Sequence, residues 1–316
     1  MAPVISIGNL TVGGSGKTPL AAEIARQLLA AGERPAILSR GYARRIHEDG
    51  VVIVSDGREV LADVGRAGDE PLMLARMLPG AAVLVSSSRY VAGRIAETRL
   101  GCTVHVLDDG FQHFDLMRDV DLVVAPDEVN DTRTLPFGRF REPIDAAAAA
   151  DALLVEGTAE AEGHVSSVAQ GFSVSSVAQG FSPAGPQPAF AFSRHITGPA
   201  PDRPAYAFAG IARPERFYGD LARAGWKLTG RRSFRDHHQY SDREIDEIVR
   251  AASESGAAVI LTTEKDFVRL RCQAGAGTAE KPEIVAVPMD VTLAPAFTSW
   301  LTERLDAVRA GRSGLP

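Results

Sequence analysis

The sequence predicts an α/β protein: a mostly parallel sheet with helices on both faces, joined to a smaller second α/β domain. Three observations lead to this fold class. Short β-branched runs alternate with helical stretches, a glycine-rich turn separates the first strand from the first helix, and the alternation resumes after a segment rich in Ser, Gly, Ala and Pro. A chain of 316 residues also suits two domains of about 100–200 residues each.

The first predicted domain spans residues 1–185. Its predicted strands are Val4–Ile7, Ala36–Ser39, Val51–Val54, Ala82–Val85, Val104–Leu107 and Leu122–Ala125. Its predicted helices are Lys17–Ala31, Glu70–Leu78 and Arg89–Thr98. The last two strands are nearly all apolar, as expected for central strands that are buried on both faces.

The segment from about Thr158 to Pro204 predicts a linker between the domains. It contains the string VSSVAQGFS twice, at Val165–Ser173 and at Val174–Ser182. Two copies are too few for a solenoid, and we interpret them as a duplication in a tolerant surface loop or linker. A binding tail is the functional alternative.

The second predicted domain spans residues 186–316. Its predicted strands are Tyr206–Ala209, Ala258–Thr262 and Ile284–Val287. Its predicted helices are Glu215–Ala224, Asp242–Ser255 and Ala294–Arg309.

Composition and charge exclude several classes of protein. The net charge of −6 gives no general attraction to nucleic acid or to an anionic membrane, so no nucleic-acid partner is expected. There is no apolar run of about 18 residues to span a bilayer and no signal peptide, because Met1 leads almost directly into the first strand. Cys102 and Cys272 lie far apart, which favours two free thiols in a reducing cytoplasm over a disulfide.

The turn at residues 11–18 predicts a phosphate-binding loop, so the first domain is expected to be P-loop NTPase-like, with ATP and Mg²⁺ as cofactors. Lys17 should reach the β- and γ-phosphates, and the Thr18 hydroxyl should bind Mg²⁺. The usual pattern begins with Gly where this chain has Thr11. A glycine-rich turn without a ligand is the alternative. The candidate ATP-binding residues are Thr11, Val12, Gly13, Gly14, Ser15, Gly16, Lys17 and Thr18.

Two adjacent carboxylates, Asp108 and Asp109, follow the buried strand Val104–Leu107. Open α/β sheets bind ligands at the carboxyl ends of their strands, and such an acid holds the metal in P-loop enzymes. Thr18, Asp108 and Asp109 are therefore the candidate metal ligands. An Asp-Asp-Gly turn with helix capping is the structural alternative.

Two further clusters contain candidate catalytic groups. Asp69 precedes a predicted helix, and from the residues alone an N-cap is the favoured role. Asp236, His237 and His238 lie in a loop before the helix that starts near Asp242. A His–Asp pair can accept the proton of an attacking hydroxyl, whereas a metal site is disfavoured because no third ligand has suitable spacing.

Arginines near a phosphate site can stabilise transferring charge, although a lone arginine is more often a solvated surface residue. Arg40, Arg139 and Arg141 are candidates for that role. The string TTEKD at residues 262–266 ends a strand, and it is either a substrate contact or a helix-capping box.

Several strings together resemble one family, the tetraacyldisaccharide 4′-kinases, which are the lipid A 4′-kinases of Gram-negative bacteria. The match runs in order along nearly the whole chain, with the duplicated segment as its main gap. Thr11 in place of the first glycine is the family's own form of the loop. The matching strings are GNLTVGGSGKTP (8–19), LSRGY (38–42), GDEP (68–71), DDGFQH (108–113), REP (141–143), FAGIARPERF (208–217), FRDHHQY (234–240) and TTEKD (262–266).

The resemblance implies transfer of the ATP γ-phosphate to the 4′-hydroxyl of a tetraacylated glucosamine disaccharide 1-phosphate. It implies that Asp69 and a histidine of the loop act as a catalytic pair, with His237 in that role and His238 as the second choice. Asp108 and Asp109 would serve Mg²⁺ and phosphate positioning. The candidate substrate contacts are Arg40, His113, Arg141 and Glu142.

Family members usually carry a hydrophobic N-terminal anchor, which the printed sequence lacks. The resemblance therefore implies a cytoplasmic protein that is peripheral to the inner membrane. Two alternative functions are also compatible with the P-loop. One is a nucleotide-switched binding or metal-delivery module. The other is a kinase or ligase that acts on a small molecule.

Overall fold

A computed structural model describes residues 1–14, 16–42, 44–46, 48–126, 132–157, 187–197, 203–270 and 282–313. The duplicated VSSVAQGFS segment, Ser15 and Cys272 lie outside these ranges, so the predictions made for them stay predictions. Cys102 is a buried free thiol.

The described residues form thirteen strands and eight α-helices, with one 3₁₀ helix at Ile144–Ala149. The strands are β1 (Val4–Asn9), β2 (Pro35–Ser39), β3 (Val51–Asp56), β4 (Ala82–Ser86), β5 (Val104–Asp108), β6 (Val120–Val124), β7 (Ala152–Glu156), β8 (Ala189–Ile196), β9 (Ala205–Ala209), β10 (Leu228–Ser233), β11 (Val259–Thr263), β12 (Glu283–Val287) and β13 (Met289–Leu293). The helices are α1 (Lys17–Ala30), α2 (Val64–Ala67), α3 (Asp69–Met77), α4 (Arg89–Leu100), α5 (Pro214–Arg223), α6 (Asp242–Glu254), α7 (Glu264–Phe267) and α8 (Pro295–Ser313).

The larger sheet has nine strands in the order β13-β8-β7-β6-β1-β5-β2-β4-β3. Its strands pair in parallel except for the two outermost strands: β3 runs antiparallel to β4, and β13 runs antiparallel to β8. Strands β1 and β5, at its centre, are buried along their whole length, as expected for strands with helices on both faces of the sheet. The predicted fold class is thereby confirmed.

Helices cover both faces of this sheet. On one face, Leu20 and Ile24 of α1, Leu72 of α3 and Leu301 of α8 join Ile5 of β1 in the main hydrophobic core. On the other face, α4 packs against β2 and β4. Leu116 and Phe140, from the connections that follow β5 and β6, complete the two smaller cores of that face.

The smaller sheet has four parallel strands in the order β10-β9-β11-β12. Phe217 and Leu221 of α5 cover one of its faces, and Ile248 and Ala252 of α6 cover the other. Both helices are amphipathic and bury only the side that faces this sheet.

The chain returns to the larger sheet at its end, since β8, β13 and α8 all belong to the layers of that sheet. The predicted domain boundary near residue 185 lies outside the described ranges and stays a prediction. None of the helices in the described ranges is both long and apolar enough to span a bilayer.

Parallel pairing places the carboxyl ends of β1, β5, β2 and β4 at one edge of the larger sheet. The segments that leave this edge begin at Leu10, Asp109, Arg40 and Ser87. The edge therefore gathers most of the polar strings that the sequence analysis singled out, as in other open α/β sheets.

Candidate active site

The phosphate loop takes the shape that its glycines allow. Gly13 and Gly16 have φ angles of +103° and +79°, which an L side chain rarely adopts, and Gly16 is the N-cap of α1. Thr11 is buried and forms an isolated bridge with Phe140, while the Val12 amide donates to the Arg139 carbonyl at 2.9 Å. Thr11, at the position where the usual pattern has its first glycine, therefore belongs to a loop that is hydrogen-bonded to the segment after β6.

Lys17, the first residue of α1, is held in a polar network at the sheet edge. Its Nζ donates to Asn9 Oδ1 and to Asp109 Oδ1, both at 2.6 Å. Asp109 has a φ of +55° and accepts from Arg141 Nη1 at 3.0 Å with both oxygens. Burial opposes ionisation of Asp109, but the charges and hydrogen bonds of Lys17 and Arg141 outweigh burial and lower its pKa.

Asp108, the last residue of β5, has a free oxygen in a buried position. The Thr18 hydroxyl donates to its Oδ2 at 3.3 Å, whereas its Oδ1 finds no hydrogen-bond partner among the described residues. Burial, followed by the charges of Glu70 and Asp109, raises the pKa of Asp108 to about 7 against the weaker opposing effect of Lys17.

This donor set fits Mg²⁺. The ion is usually held by one or two carboxylates and a hydroxyl, with phosphate oxygens and waters completing its shell. Thr18 and Asp108 supply a hydroxyl and an unpartnered carboxylate oxygen, and Asp109 lies next to them. The described residues contain no group of three His, Cys, Asp or Glu side chains that could hold a metal by itself.

Asp69 is the first residue of α3, and the N-cap is Gly68, with a φ of +88°. The N-cap role that the residues alone favoured for Asp69 is therefore wrong by one position. Asp69 Oδ1 still accepts from the backbone N–H of Glu70 at 3.0 Å. Its other oxygen, Oδ2, faces the second sheet.

Two groups from the second sheet contact that oxygen. His237 Nδ1 lies 2.8 Å from Asp69 Oδ2, and Arg269 Nε donates to the same oxygen at 2.8 Å. Burial disfavours the charged carboxylate, but the His237 hydrogen bond and the charges of Lys265 and Arg269 lower the pKa of Asp69 to about 2. An ionised Asp69 can only accept, so Nδ1 of His237 donates to it, while Nε2 lies 3.4 Å from Lys265 Nζ.

The two histidines of the loop point in different directions. His237 has a φ of +58° and reaches Asp69, with the Tyr42 ring at 5.2 Å. His238 instead stacks on Phe234 at 4.7 Å and contacts Glu244 Oε1 through Nε2 at 3.0 Å. The fold brings His237 and not His238 to Asp69.

The TTEKD string caps a helix, as one of its two predicted roles required, and its contact with substrate stays a prediction. Thr263 is the N-cap of α7 and accepts from the Asp266 backbone N–H at 3.0 Å. Lys265 Nζ reaches across to Glu70 Oε1 at 2.9 Å, and it lies 3.4 Å from Nε2 of His237. The string therefore both caps a helix and contacts the site.

The remaining candidates differ in their surroundings. Arg141 contacts Asp109, and Arg139 Nη2 donates to the Val12 carbonyl at 3.1 Å. Arg40 is exposed after β2. His113 Nε2 and Glu142 Oε1 are buried atoms without a hydrogen-bond partner in the described part of the chain.

Sequence reasoning missed three residues of this region: Asn9, Arg89 and Arg269. Asn9 lies inside the matching string that starts at Gly8 and could have been suspected from that string. Arg89 and Arg269 carry no local signal, since each resembles any other arginine at a helix end. Their burial, at 7% and 2% exposure, becomes visible only in the folded chain.

A phosphate loop, a buried carboxylate beside its threonine and a His–Asp pair at the same sheet edge define a phosphotransferase of the P-loop class. The family model described as "Tetraacyldisaccharide-1-P 4'-kinase" matches residues 1–306. The chain belongs to this family. The resemblance stated from the sequence, and the class of enzyme that it implied, are confirmed.

Individual relatives agree with the family match. The chain is 40% identical over 281 residues to a tetraacyldisaccharide 4′-kinase of Desulfotalea psychrophila, covering 85% of this chain and 78% of that protein. It is 39% identical over 315 residues to one of an Anaeromyxobacter species, covering 98% and 83%. A crystal structure of LpxK from Aquifex aeolicus in complex with ATP is 31% identical, with a TM-score of 0.72, covering 96% of this chain and 89% of that chain.

Proposed function

We propose that this chain transfers the γ-phosphoryl group of ATP to the 4′-hydroxyl of a tetraacylated glucosamine disaccharide 1-phosphate, a step of lipid A biosynthesis. The family is named for this kinase reaction, and the solved relative binds ATP. These findings confirm the function predicted from the sequence. The assignment of roles to individual residues is our proposal, and it rests on the geometry of the sheet edge.

Residues of the loop and of the β5 end hold the nucleotide. The amides of residues 11–18 and Lys17 bind the phosphates, for which Lys17 exchanges its contacts with Asn9 and Asp109. Thr18, Asp108 and Asp109 hold Mg²⁺, which would neutralise charge on the β- and γ-phosphate oxygens when bound. Arg141 keeps Asp109 in place through its paired hydrogen bonds.

Asp69 and His237 handle the proton of the attacking hydroxyl. Asp69 has a side chain that is only 5% exposed, and its Oδ2 is engaged by His237 and Arg269. His237 is 20% exposed and presents Nε2 away from Asp69. We therefore assign proton acceptance to Nε2 of His237, while Asp69 orients the ring and stabilises the imidazolium that forms.

One observation supports this role for His237: the His237–Asp69 pair lies at the same carboxyl-end edge of the larger sheet as the phosphate loop. Glu70, adjacent to Asp69, is close enough to Asp108 for its charge to raise the pKa of that carboxyl. The pair therefore lies near Asp108 on the face of the sheet that α1 and α3 share. An acceptor placed between them would have its hydroxyl beside a proton acceptor and in front of the nucleotide phosphates.

We place the reaction at the cytoplasmic face of the inner membrane, where a tetraacylated acceptor resides. Exposed apolar side chains on the α4 face of the molecule support this placement. Phe114 and Met117, between β5 and β6, are 73% and 77% exposed, and Phe137, after β6, is 79% exposed. Arg118 lies beside the Phe114 ring, with its Cζ atom at 5.2 Å.

The test is a kinase assay on the purified full chain with Mg·ATP, the disaccharide 1-phosphate and detergent. We expect labelled 4′-phosphorylated lipid. His237→Ala should lower kcat about 10²–10⁴-fold and leave the KM for ATP nearly unchanged, because the ring acts on the acceptor. The matched control is His238→Ala, which removes the neighbouring ring and should retain most of the activity.

Two results would contradict this account. A folded protein that produces no labelled lipid would refute the acceptor. Equal loss of kcat in the His237→Ala and His238→Ala variants would refute the role of the His237–Asp69 pair and leave the acceptor unaffected.

A further inference from the structure

The turn after β5 places three backbone carbonyl groups around one arginine side chain. Nη1 of Arg118 lies 3.3 Å from the carbonyl oxygen of Gly110 and 3.4 Å from that of His113, and it also donates to the carbonyl of Phe111. The Arg118 side chain is only 14% exposed. Carbonyl oxygens that lie close together out of water need a donor between them, and a guanidinium is a strong one.

The backbone of this turn needs such support at Asp109. This residue has a φ of +55°, which is unfavourable for a residue with a side chain and persists only where the surroundings hold it. The amide of the next residue, Gly110, donates to the Ile7 carbonyl at 3.0 Å, and the carbonyl of Gly110 faces Arg118. The backbone that orients the Asp109 carboxylate is therefore held by β1 on one side and by Arg118 on the other.

Arg118 is itself fixed by groups that lie outside the turn. It lies near the end of the connection between β5 and β6, and its Nε forms an ion pair with Asp121 Oδ2 of β6 at 3.0 Å. The next residue, Asp119, accepts from the Val4 amide at 2.8 Å. Leu116, two positions earlier, is buried in the core that α4 covers. The guanidinium is thus anchored on the larger sheet, and the turn is hydrogen-bonded to it.

We propose that Arg118 is a positioning residue of the phosphotransfer site. It acts through the backbone of residues 109–113, which determines where the carboxylates of Asp108 and Asp109 point. Groups that hold metal ligands in place from behind strongly affect metal affinity although they do not touch the metal. The inference rests on the proposed role of Asp108 and Asp109 in holding Mg²⁺.

The test measures how strongly Mg²⁺ tightens the binding of ADP to the full-length protein. Titrations with ADP in Mg²⁺ and in EDTA give two dissociation constants, and their ratio reports the contribution of the metal site. We expect Arg118→Met to reduce this ratio about tenfold or more, through weaker binding in Mg²⁺. Binding in EDTA should change less than about threefold, because the amides of the phosphate loop hold the phosphates without the metal.

This ratio separates positioning from a purely structural role. A residue that only stabilises the fold would lower the unfolding temperature and leave the ratio unchanged, because both dissociation constants refer to the folded protein. Asp121→Asn is the matched control, since it removes the charge of the ion pair and keeps an oxygen that accepts from Nε of Arg118. It should leave the ratio within about twofold of the unaltered protein, as expected for a neutral acceptor in the same place.

Arg118→Lys tests for partial rescue, because lysine keeps the charge without the planar fork and cannot reach Asp121 and the carbonyls together. Its ratio should lie between those of Arg118→Met and the unaltered protein. If Arg118→Met does not fold, this variant decides the question. A ratio reduced about twofold or more then supports the inference, and an unchanged ratio refutes it.

Two outcomes with folded Arg118→Met would overturn the inference: an unchanged ratio, or a reduction equal to that in Asp121→Asn. The absence of any effect of Mg²⁺ on ADP binding in the unaltered protein would overturn it as well. That result would remove the metal-holding role of Asp108 and Asp109 on which the inference rests. No titration uses the acceptor glycolipid, so failure of the proposed kinase reaction would be seen separately.

Discussion

The carboxyl group of Asp108 makes the stability of the ligand-free protein depend on pH. Its pKa is about 7 in the folded chain and 3.8 in its ordinary state, so the folded protein binds the proton more tightly than the unfolded chain. The stability that this group contributes is therefore complete below about pH 4 and is lost as the pH rises through about 7. Above that pH the folded protein carries a buried charge.

Asp108→Asn removes that charge and keeps the shape of the side chain. At pH 4 the variant should exceed the unaltered protein in stability by less than about 1 kcal/mol, because the carboxyl is then ionised in only part of the unfolded chains. At pH 8.5, in EDTA and without nucleotide, the variant should be more stable by up to about 4 kcal/mol, at roughly 1.4 kcal/mol per pKa unit. A stability difference that does not change between these pH values would contradict the shifted pKa. Denaturant unfolding at both pH values measures it.

Among individual residues, the sequence predicted those that lie in a recognisable local string. It missed those whose role depends on contacts between distant parts of the chain. Lys17, Thr18 and Asp108 follow strands and lie in recognisable strings, so their meeting at one edge could be expected. Arg269 contacts Asp69 across 200 positions of the chain. No spacing rule predicts a contact of that separation, because it depends on how two sheets are placed against each other.

Among the elements, β1 packs closely against the turn after β5, next to the start of the phosphate loop. A Cβ atom added at Gly8 would lie 2.3 Å from Phe111 Cβ and 2.8 Å from the Phe111 backbone nitrogen. Real structures do not hold such distances, so the backbone after Asp108 would have to shift. Gly8 therefore allows β1 and the DDGF turn to approach each other.

Gly8→Ala should consequently destabilise the protein by about 1–3 kcal/mol, through overpacking, and lower its affinity for ATP. The matched control is Gly219→Ala in α5, where a new Cβ meets no atom within 4 Å. There the change should stabilise the protein by about 0.5–1 kcal/mol, because alanine is the better helix former. Denaturant unfolding and nucleotide titration of both variants test the pair, and equal effects would refute the close-packing argument.

Element prediction succeeded where periodicity was strong and failed at edges. Strand β5 was predicted from a nearly all apolar run, and the range predicted for α6, Asp242–Ser255, ends one residue after the observed helix. Strand β10, with the sequence LTGRRS, was missed because an edge strand with alternating exposure resembles a polar loop. The return of β8 and β13 to the larger sheet could not be predicted either, because local hydropathy does not specify which sheet a strand joins.

On the scale of the whole molecule, one buried arginine joins the two sheets at the catalytic pair. The Arg269 side chain is fully buried, with Nε on Asp69 of α3 and Nη1 on Asp266 at 3.0 Å. Asp266 also accepts from the Tyr240 hydroxyl at 2.8 Å and from the Gly210 amide. The orientation of Asp69 is therefore coupled to the polar centre of the second sheet.

Arg269→Met should destabilise the chain by about 3–5 kcal/mol, because it leaves two buried carboxylates without their shared cation. The matched control is Arg243→Met, whose side chain is 89% exposed and pairs with Glu247 on the surface of α6, so its loss should cost less than about 1 kcal/mol. Denaturant unfolding at pH 7 measures both. Similar stability of the two variants would mean that the sheets are held together elsewhere, and that Asp69 does not depend on Arg269 for its charge. The predicted loss is large because Asp69, Asp266 and Arg269 are all buried, so water cannot replace the missing guanidinium.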